Sequence, residues 1–291
     1  MALLPYDDRD GVIWFDGQFV PWREARVHVL SHSLHYGSAA FEGERVYDGR
    51  VFKLSQHDQR LLRSCELLGY SLPYSAEELD LATQEVVARN KIGDGYVRPI
   101  AWRGAETIGV SARDAKPHVA IAAFPWPAYY SEEARTKGIA LMTSSWQRPS
   151  PKSAPTASKA AGLYMICTMS RDTAAAAGFD DALMHDYRGQ VAEATGANLF
   201  MAIGGALHTP TPDCFLDGIT RRTVIDLARQ RDIRIIERAI FPEELANAEE
   251  IFLTGTAVEV IPVRQIDKLQ IPVGPIARQL SKDYQRLVRA G

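Results

Sequence analysis

The sequence predicts a mixed α+β protein of two domains, and three observations lead there. The length of 291 residues exceeds one average domain. The first half alternates Asp-Gly hairpin signals with capped helices. An aromatic run broken by prolines, Phe124-Pro125-Trp126-Pro127-Ala128-Tyr129-Tyr130, then interrupts the pattern before a fresh set of strand candidates begins. Proline cannot continue a strand interior. Residues 1–124 are therefore expected as an N-terminal α+β domain, 125–138 as the connection, and 139–291 as a C-terminal domain.

In the first half, residues 12–15 and 18–20 flank Asp16-Gly17, and residues 45–47 and 50–52 flank Asp48-Gly49. Asp-Gly suits the positive φ angles of a tight primed turn, so both read as hairpins. Ser55 with Asp58 predicts a capping box opening a helix through Leu61, Leu62, Cys65 and Leu68, closed by Gly69. Ser75 with Glu78 predicts a second helix through Leu79, Ala82, Val86 and Val87. Residues 97–102 and 119–124 read as buried strands. In the second half, strands are expected at 139–143, 182–185, 198–203, 233–237 and 251–254, and helices at 159–177 and 220–230. No repeat, heptad run or low-complexity stretch interrupts them.

Composition bounds the function classes. Apolar residues at 46% and charged residues at 24% are those of an ordinary globular protein with a sizeable core. A net charge of −3 and a pI near 6.2 offer no basic excess, which argues against nucleic acid as a partner. Cys65, Cys167 and Cys214 form no Cys-x-x-Cys pair and read as reduced thiols, neither a disulfide framework nor a thiolate zinc site. The first residues meet charge too soon for a signal peptide, and no apolar run is long enough to span a bilayer. The expectation is a cytoplasmic protein with no membrane partner.

The chemistry centres on Lys159, in Pro155-Thr156-Ala157-Ser158-Lys159-Ala160-Ala161-Gly162-Leu163-Tyr164, where small residues crowd it and Lys152 is the nearest charge. A free lysine, with a pKa near ~10.4, is a neutral nucleophile in roughly one molecule in a few thousand at neutral pH. Burial can lower that pKa by up to ~3–5 units and make Schiff-base chemistry feasible. Leu216-Asp217-Gly218-Ile219-Thr220 leads into an amphipathic helix, and such a start offers free N–H groups and the positive dipole end to a phosphate. Thr254-Gly255-Thr256-Ala257 offers a second cradle. Glu193 lies among small residues just before the strand at 198–203, where a partly desolvated carboxylate favours an adjacent cation. His28, His32 and His35 lack the His-Glu-x-x-His arrangement and share no helix face, so no metal site is expected. No Gly-x-Ser-x-Gly elbow supports a serine hydrolase.

Seven segments in order carry a resemblance: His32-Ser33-Leu34-His35-Tyr36-Gly37, Phe41-Glu42-Gly43-Glu44-Arg45, Tyr96-Val97-Arg98-Pro99, Ser158-Lys159-Ala160, Glu193 through Phe200, Gly218-Ile219-Thr220-Arg221, and Thr254-Gly255-Thr256-Ala257. Together the chain resembles the branched-chain amino-acid aminotransferases, of the fold-type IV enzymes that depend on pyridoxal 5'-phosphate. The resemblance implies a small N-terminal α/β domain and a larger C-terminal domain with a mostly antiparallel, barrel-like sheet. It implies transamination between leucine, isoleucine or valine and 2-oxoglutarate in a ping-pong cycle. Lys159 would form the internal Schiff base and move the proton. Glu193 would pair with the pyridine nitrogen, and Tyr164 would bond the ring oxygen. Arg60, Ile219, Thr220 and Thr256 would hold the phosphate, framed by Leu216, Gly218 and Gly255.

On the substrate side the resemblance implies Tyr96 and the Thr256–Ala257 backbone for the α-carboxylate, and Arg98 for the distal carboxylate of glutamate. Tyr36, Phe41 and Tyr129 would wall an apolar pocket, with Gly43 leaving room for it. Tyr36 would reach a neighbouring subunit's site, in a homodimer or homohexamer. Ala161, Leu163, Ala194 and Glu44 depart from the family's usual residues. A D-amino-acid or (R)-amine transaminase, or an aminodeoxychorismate lyase, shares the fold and the Lys159 and Glu193 equivalents and stays open as the alternative.

Overall fold

The computed structural model describes residues 5–290. Its internal contacts divide the chain into two units, Met1–Pro127 with Ser158–Gly162, and Ala128–Ala157 with Leu163–Gly291.

The first unit runs β1 (Val12–Phe15), β2 (Gln18–Pro21), α1 (His32–Tyr36), β3 (Ala40–Phe41), β4 (Glu44–Tyr47), β5 (Arg50–Val51), α2 (Leu54–Leu67), α3 (Ala76–Arg89), β6 (Gly95–Arg103) and β7 (Pro117–Pro125). The strands form one antiparallel sheet in the order β2-β1-β7-β6-β4-β5, with β3 on β6. Both Asp-Gly hairpins are present, with φ of 48° and 87° at Asp16 and Gly17 and of 49° and 78° at Asp48 and Gly49. These left-handed pairs match the strand twist. Helices α2 and α3 cover one face of the sheet, where Leu61, Cys65, Leu79 and Val86 meet Val46, Val97, Val119 and Ile121.

The Ser75–Glu78 capping box forms, with Glu78 N donating to Ser75 Oγ at 3.2 Å and Ser75 N to Glu78 Oε2 at 2.7 Å. The expected Ser55–Asp58 box does not. Helix α2 starts earlier, at Leu54, from an N-cap Lys53 in the left-handed region at φ 54°. The buried stripe Leu54, His57, Asp58, Leu61, Ser64 and Cys65 follows the helical period and turns Asp58 into the interior.

There Asp58 joins a set of carboxyls. Both oxygens of Asp58 and of Glu44 are buried and accept no hydrogen bond from the described residues. Asp58 faces Asp80 as one acceptor against another, an arrangement that needs a proton between them. Burial, then Asp80 and Glu42, pushes the Asp58 carboxyl up to about 9. Burial, then Asp58 and Glu42, raises Glu44 as well, while Arg60 opposes the rise. Because Asp58 is protonated in the folded state where the unfolded chain has already ionised near ~3.9, its stabilising contribution is complete below that pH. It is lost as the pH climbs toward the folded value. Asp58→Asn is therefore expected to unfold at higher denaturant than the parent at pH 8.5, with the gap closing toward pH 4. The slope is about 1.4 kcal/mol per pH unit for one such group, read from urea melts across pH. Parallel stability curves would contradict it.

The second unit runs α4 (Glu132–Lys137), β8 (Ile139–Thr143), α5 (Met165–Ala176), β9 (Asp181–His185), β10 (Val191–Ala194), β11 (Asn198–Ile203), β12 (Ala206–Thr209), α6 (Ile219–Arg229), β13 (Arg234–Glu237), β14 (Glu250–Gly255), β15 (Glu259–Ile266), β16 (Leu269–Gln270) and α7 (Pro275–Arg289). Strands β10-β9-β8-β15-β14-β11 close on themselves through the β10–β11 pairing into a mixed, mostly antiparallel barrel. Ile139, Leu141, Leu183, Leu199, Met201, Ile251, Leu253 and Ile261 fill its core. Closure removes the unpaired sheet edges that an open sheet of this size leaves.

Three expectations shift here. Glu193 lies in a strand of its own, β10, where the sequence reading placed it only ahead of the strand at 198–203. Strand β15 and helix α7 were not anticipated. The helix expected from residue 159 begins as a short 3-10 turn, Ala161–Tyr164, followed by α5. Lys159 stays extended because its segment pairs with β3. Phe41 N donates to Lys159 O at 3.2 Å, Ala161 N donates to Ala39 O at 2.7 Å, and Ala40 bridges Ala160. This pairing gives Ser158–Gly162 to the first unit.

Candidate active site

Lys159 is positioned by its own backbone, which donates to Ser64 Oγ at 3.0 Å on α2 and is hydrogen-bonded to β3. Part of the residue's surface stays accessible, yet its amine is desolvated. Burial lowers its pKa to about 8, Glu42 opposing and Arg60 assisting. Nζ lies 4.8 Å from the centre of the Phe41 ring. The Arg98 guanidinium sits 4.9 Å from the same ring and 5.2 Å from that of Tyr96. Phe41, Tyr96, Arg98 and Lys159 are thus brought together within the first unit.

Beside them lies an ion-pair cluster that sequence reasoning only partly found. Arg60 donates from Nε to Glu42 Oε1 at 2.7 Å and from Nη2 to Glu42 Oε2 at 2.8 Å. His57 Nδ1 lies 2.8 Å from Glu42 Oε2. Glu42 is wholly buried, but this fork and the histidine hold its carboxyl far below the usual range despite the burial. Burial conversely keeps His57 lowered, hence neutral and donating. Glu42 stood in a quoted motif without a role. Its spacing to His57 and Arg60, which share one face of α2, was the available signal.

Gly43 has a different use from the one expected. A Cβ there would lie 2.0 Å from the Tyr96 hydroxyl, so the missing side chain makes room for Tyr96. Tyr36 is half-exposed, stacks on His32 at 4.5 Å and donates to Ile108 O at 3.0 Å. Tyr129 belongs to the second unit, where it packs on the barrel core beneath the Arg171 guanidinium.

The second unit holds the remaining candidates. A register shift in β10 between Val191 and Glu193 re-aims the chain at Glu193, which pairs across to Asn198. Its carboxylate accepts from Asn198 Nδ2 at 3.1 Å and lies 3.3 Å from Arg148 Nε. Asn198 Nδ2 also donates to Leu216 O at 3.0 Å. Gly218 is needed for this wedge, since a Cβ on it would lie 2.2 Å from Asn198 Oδ1. Gly218 caps α6 with no side chain over the first turn, which leaves the N–H groups of Ile219 and Thr220 to a ligand. The buried Arg221 fixes the approach to this turn by bonding Asp217 at 2.9 Å, Glu237 at 2.6 Å and Pro210 O at 3.2 Å. Gly255 closes β14, and Thr256 and Ala257 follow in the turn to β15. Thr254 Oγ1 is buried there without a partner among the described residues. Tyr164 ends the 3-10 turn ahead of α5.

A desolvated amine in the first unit, and in the second a buried carboxylate held by Asn198 beside Arg148 and an uncapped helix start, are each suited to a different part of a phosphorylated pyridine aldehyde. Sequence reasoning gave neither Arg148 nor Asn198 a role. Asn198 lay in a quoted motif, but nothing local marks Arg148.

A family model described as Amino-transferase class IV matches residues 39–266. The branched-chain-amino-acid aminotransferase of Pseudomonas aeruginosa is 41% identical over 288 residues, covering 97% of this chain and 94% of that protein. The crystal structure of the Escherichia coli branched-chain amino acid aminotransferase superposes with a TM-score of 0.93 at 37% identity, covering 96% of this chain and 95% of that one. The T.th. branched-chain amino acid aminotransferase complexed with N-(5'-phosphopyridoxyl)-L-glutamate superposes with a TM-score of 0.92 at 38% identity, covering 97% and 95%. The chain belongs to the class IV aminotransferases and, within them, stands with the branched-chain amino-acid enzymes.

Proposed function

We propose that the residues above carry transamination between branched-chain L-amino acids and 2-oxoglutarate, the reaction of this branch of the family. The observation that carries the proposal is the desolvated Lys159 amine, at a pKa of about 8, grouped with Phe41, Tyr96 and Arg98. Bound pyridoxal phosphate supplies an aldehyde carbon and a ring that draws electrons away from the substrate's Cα. Lys159 Nζ would hold the resting cofactor covalently and, once freed by the incoming amine, would carry the proton from the substrate's Cα to the carbon that had been the cofactor's aldehyde. A pKa of about 8 suits both tasks, since the ideal acid–base group titrates near the working pH. Glu193 keeps a proton on the ring nitrogen. Tyr164 bonds the ring oxygen. Arg60, held by Glu42, serves the phosphate with the N–H groups of Ile219 and Thr220 and with Thr256, framed by Leu216, Gly218 and Gly255.

The active site must accept an aliphatic side chain in one half-reaction and an acidic one in the other. Phe41 supplies apolar surface, while Arg98, resting on Phe41 and Tyr96, supplies a charge for the distal carboxylate of glutamate. Tyr96 and the Thr256–Ala257 backbone take the α-carboxylate, and Tyr36 and Tyr129 complete the apolar surround. Arg98→Ala is expected to lower kcat/KM for 2-oxoglutarate about 10- to 100-fold, the worth of a charge-assisted hydrogen bond. The L-valine half-reaction should change less than about 3-fold, read by single-turnover absorbance. Equal losses in both would remove Arg98 from this role. Turnover of L-valine with 2-oxoglutarate, with D-valine inert, tests the reaction itself. The reverse preference would favour the D-amino-acid alternative.

We further propose a cytoplasmic homo-oligomer, a dimer at least. Val29, Leu34, Tyr36, Ile108 and Val110 stand exposed on the first unit, a surface typical of protein contacts. No helix of the described residues is long and apolar enough to cross a membrane.

A further inference from the structure

Arg148 lies outside every motif of the sequence, yet it is 3% exposed and its backbone is pinned to the end of β9, donating to His185 O at 2.8 Å and bridging to Asp186. Its guanidinium donates from Nη1 to Cys167 Sγ at 3.2 Å and to Leu163 O at 3.5 Å. Nε faces Glu193 Oε1 at 3.3 Å, an ionic contact without hydrogen-bond alignment. Guanidinium does not release its proton in a protein. A buried guanidinium therefore requires an anion beside it, and the carboxylate paired with it is Glu193. Asn198 takes the other Glu193 oxygen, so both oxygens are held from the protein side.

We propose that Arg148 is a positioning residue that keeps Glu193 ionised and fixes its orientation toward the cofactor's ring nitrogen. This rests on the assignment of Glu193 to that nitrogen. A buried carboxylate left alone gains a proton readily, and a protonated Glu193 cannot stabilise a positive ring nitrogen. Arg148 removes that option, and the electrons leaving Cα keep their acceptor.

The test uses holoenzyme carrying Arg148→Met, Arg148→Gln, Arg148→Lys, Glu193→Gln and the Arg148→Met/Glu193→Gln double change. Two readouts are the pH at which the visible absorption of the bound cofactor changes, and kcat against KM for L-leucine. Arg148→Met is expected to move the spectral transition by one pH unit or more and to lower kcat about 10- to 100-fold with KM within about 3-fold. Arg148→Lys, which keeps the charge and the fold, should recover most of both. In the Glu193→Gln background, Arg148→Met should add nothing. A spectral transition unmoved in Arg148→Met, or in Arg148→Gln should the methionine variant not fold, overturns the proposal. So do additive losses in the double variant. If Glu193→Gln itself alters neither spectrum nor turnover, the assignment of Glu193 fails instead.

Discussion

Lys159→Ala is expected to lower turnover of L-leucine with 2-oxoglutarate by roughly 10⁴- to 10⁶-fold, the usual cost of deleting a residue that is both nucleophile and proton carrier. Among the described residues no other lysine is positioned by the same contacts, with its backbone tied to Ser64 and β3 and its amine 4.8 Å from the Phe41 ring. Lys159→Arg should be as inactive. It keeps the charge, but a guanidinium stays protonated and has no lone pair to offer. Neither change removes the groups proposed for the phosphate or for the ring nitrogen, so both variants should still take up pyridoxal phosphate, now exchangeable by gel filtration. The parent's own amine should titrate near pH 8, because burial disfavours its charged form. Reagent labelling of the apoenzyme would show this as a midpoint about two units below that of a free lysine side chain. Residual turnover above about 1% in Lys159→Ala would contradict the role.

Glu42→Gln should cost about 3–5 kcal/mol of stability, the loss expected when one partner of a buried pair is neutralised. An amide cannot accept the paired donors of Arg60, and its own NH₂ opposes them. The buried His57 loses its acceptor at the same step. A second consequence follows from electrostatics. Glu42 is the largest influence raising the Lys159 pKa, so its loss should move the amine below about 8, while loss of a cation would move it up. Urea melts read the first effect and labelling against pH the second. A variant as stable as the parent, with an unmoved amine, would remove Glu42 from the site.

The sequence made legible whatever is decided locally. The Asp-Gly turns at 16–17 and 48–49 need only two residues to specify positive φ, and Ser75 with Glu78 closes its box within one turn. The seven ordered segments located Lys159, Glu193, the start of α6 and the turn after β14. Longer-range partnerships were hidden. Ser55 and Asp58 satisfy the same local pattern as Ser75 and Glu78, but the apolar stripe of α2 turns Asp58 inward, and burial overrides the cap. Lys159 was expected to open a helix, yet β3, more than a hundred residues earlier, pairs with its segment and keeps it extended. Helix α7 was readable, since Ala277, Leu280, Tyr284 and Val288 fall on one face. Arg148 was not, because its contacts with Leu163, Cys167 and Glu193 exist only after the barrel closes.

The most direct measurement is borohydride reduction of the purified protein with pyridoxal phosphate, followed by peptide mass spectrometry. The account predicts a single phosphopyridoxyl group, on Lys159 within the peptide spanning residues 153–171, and its absence when L-leucine has first converted the cofactor to its amine form. A label on Lys152 or spread over surface lysines, or none on Lys159, would contradict it.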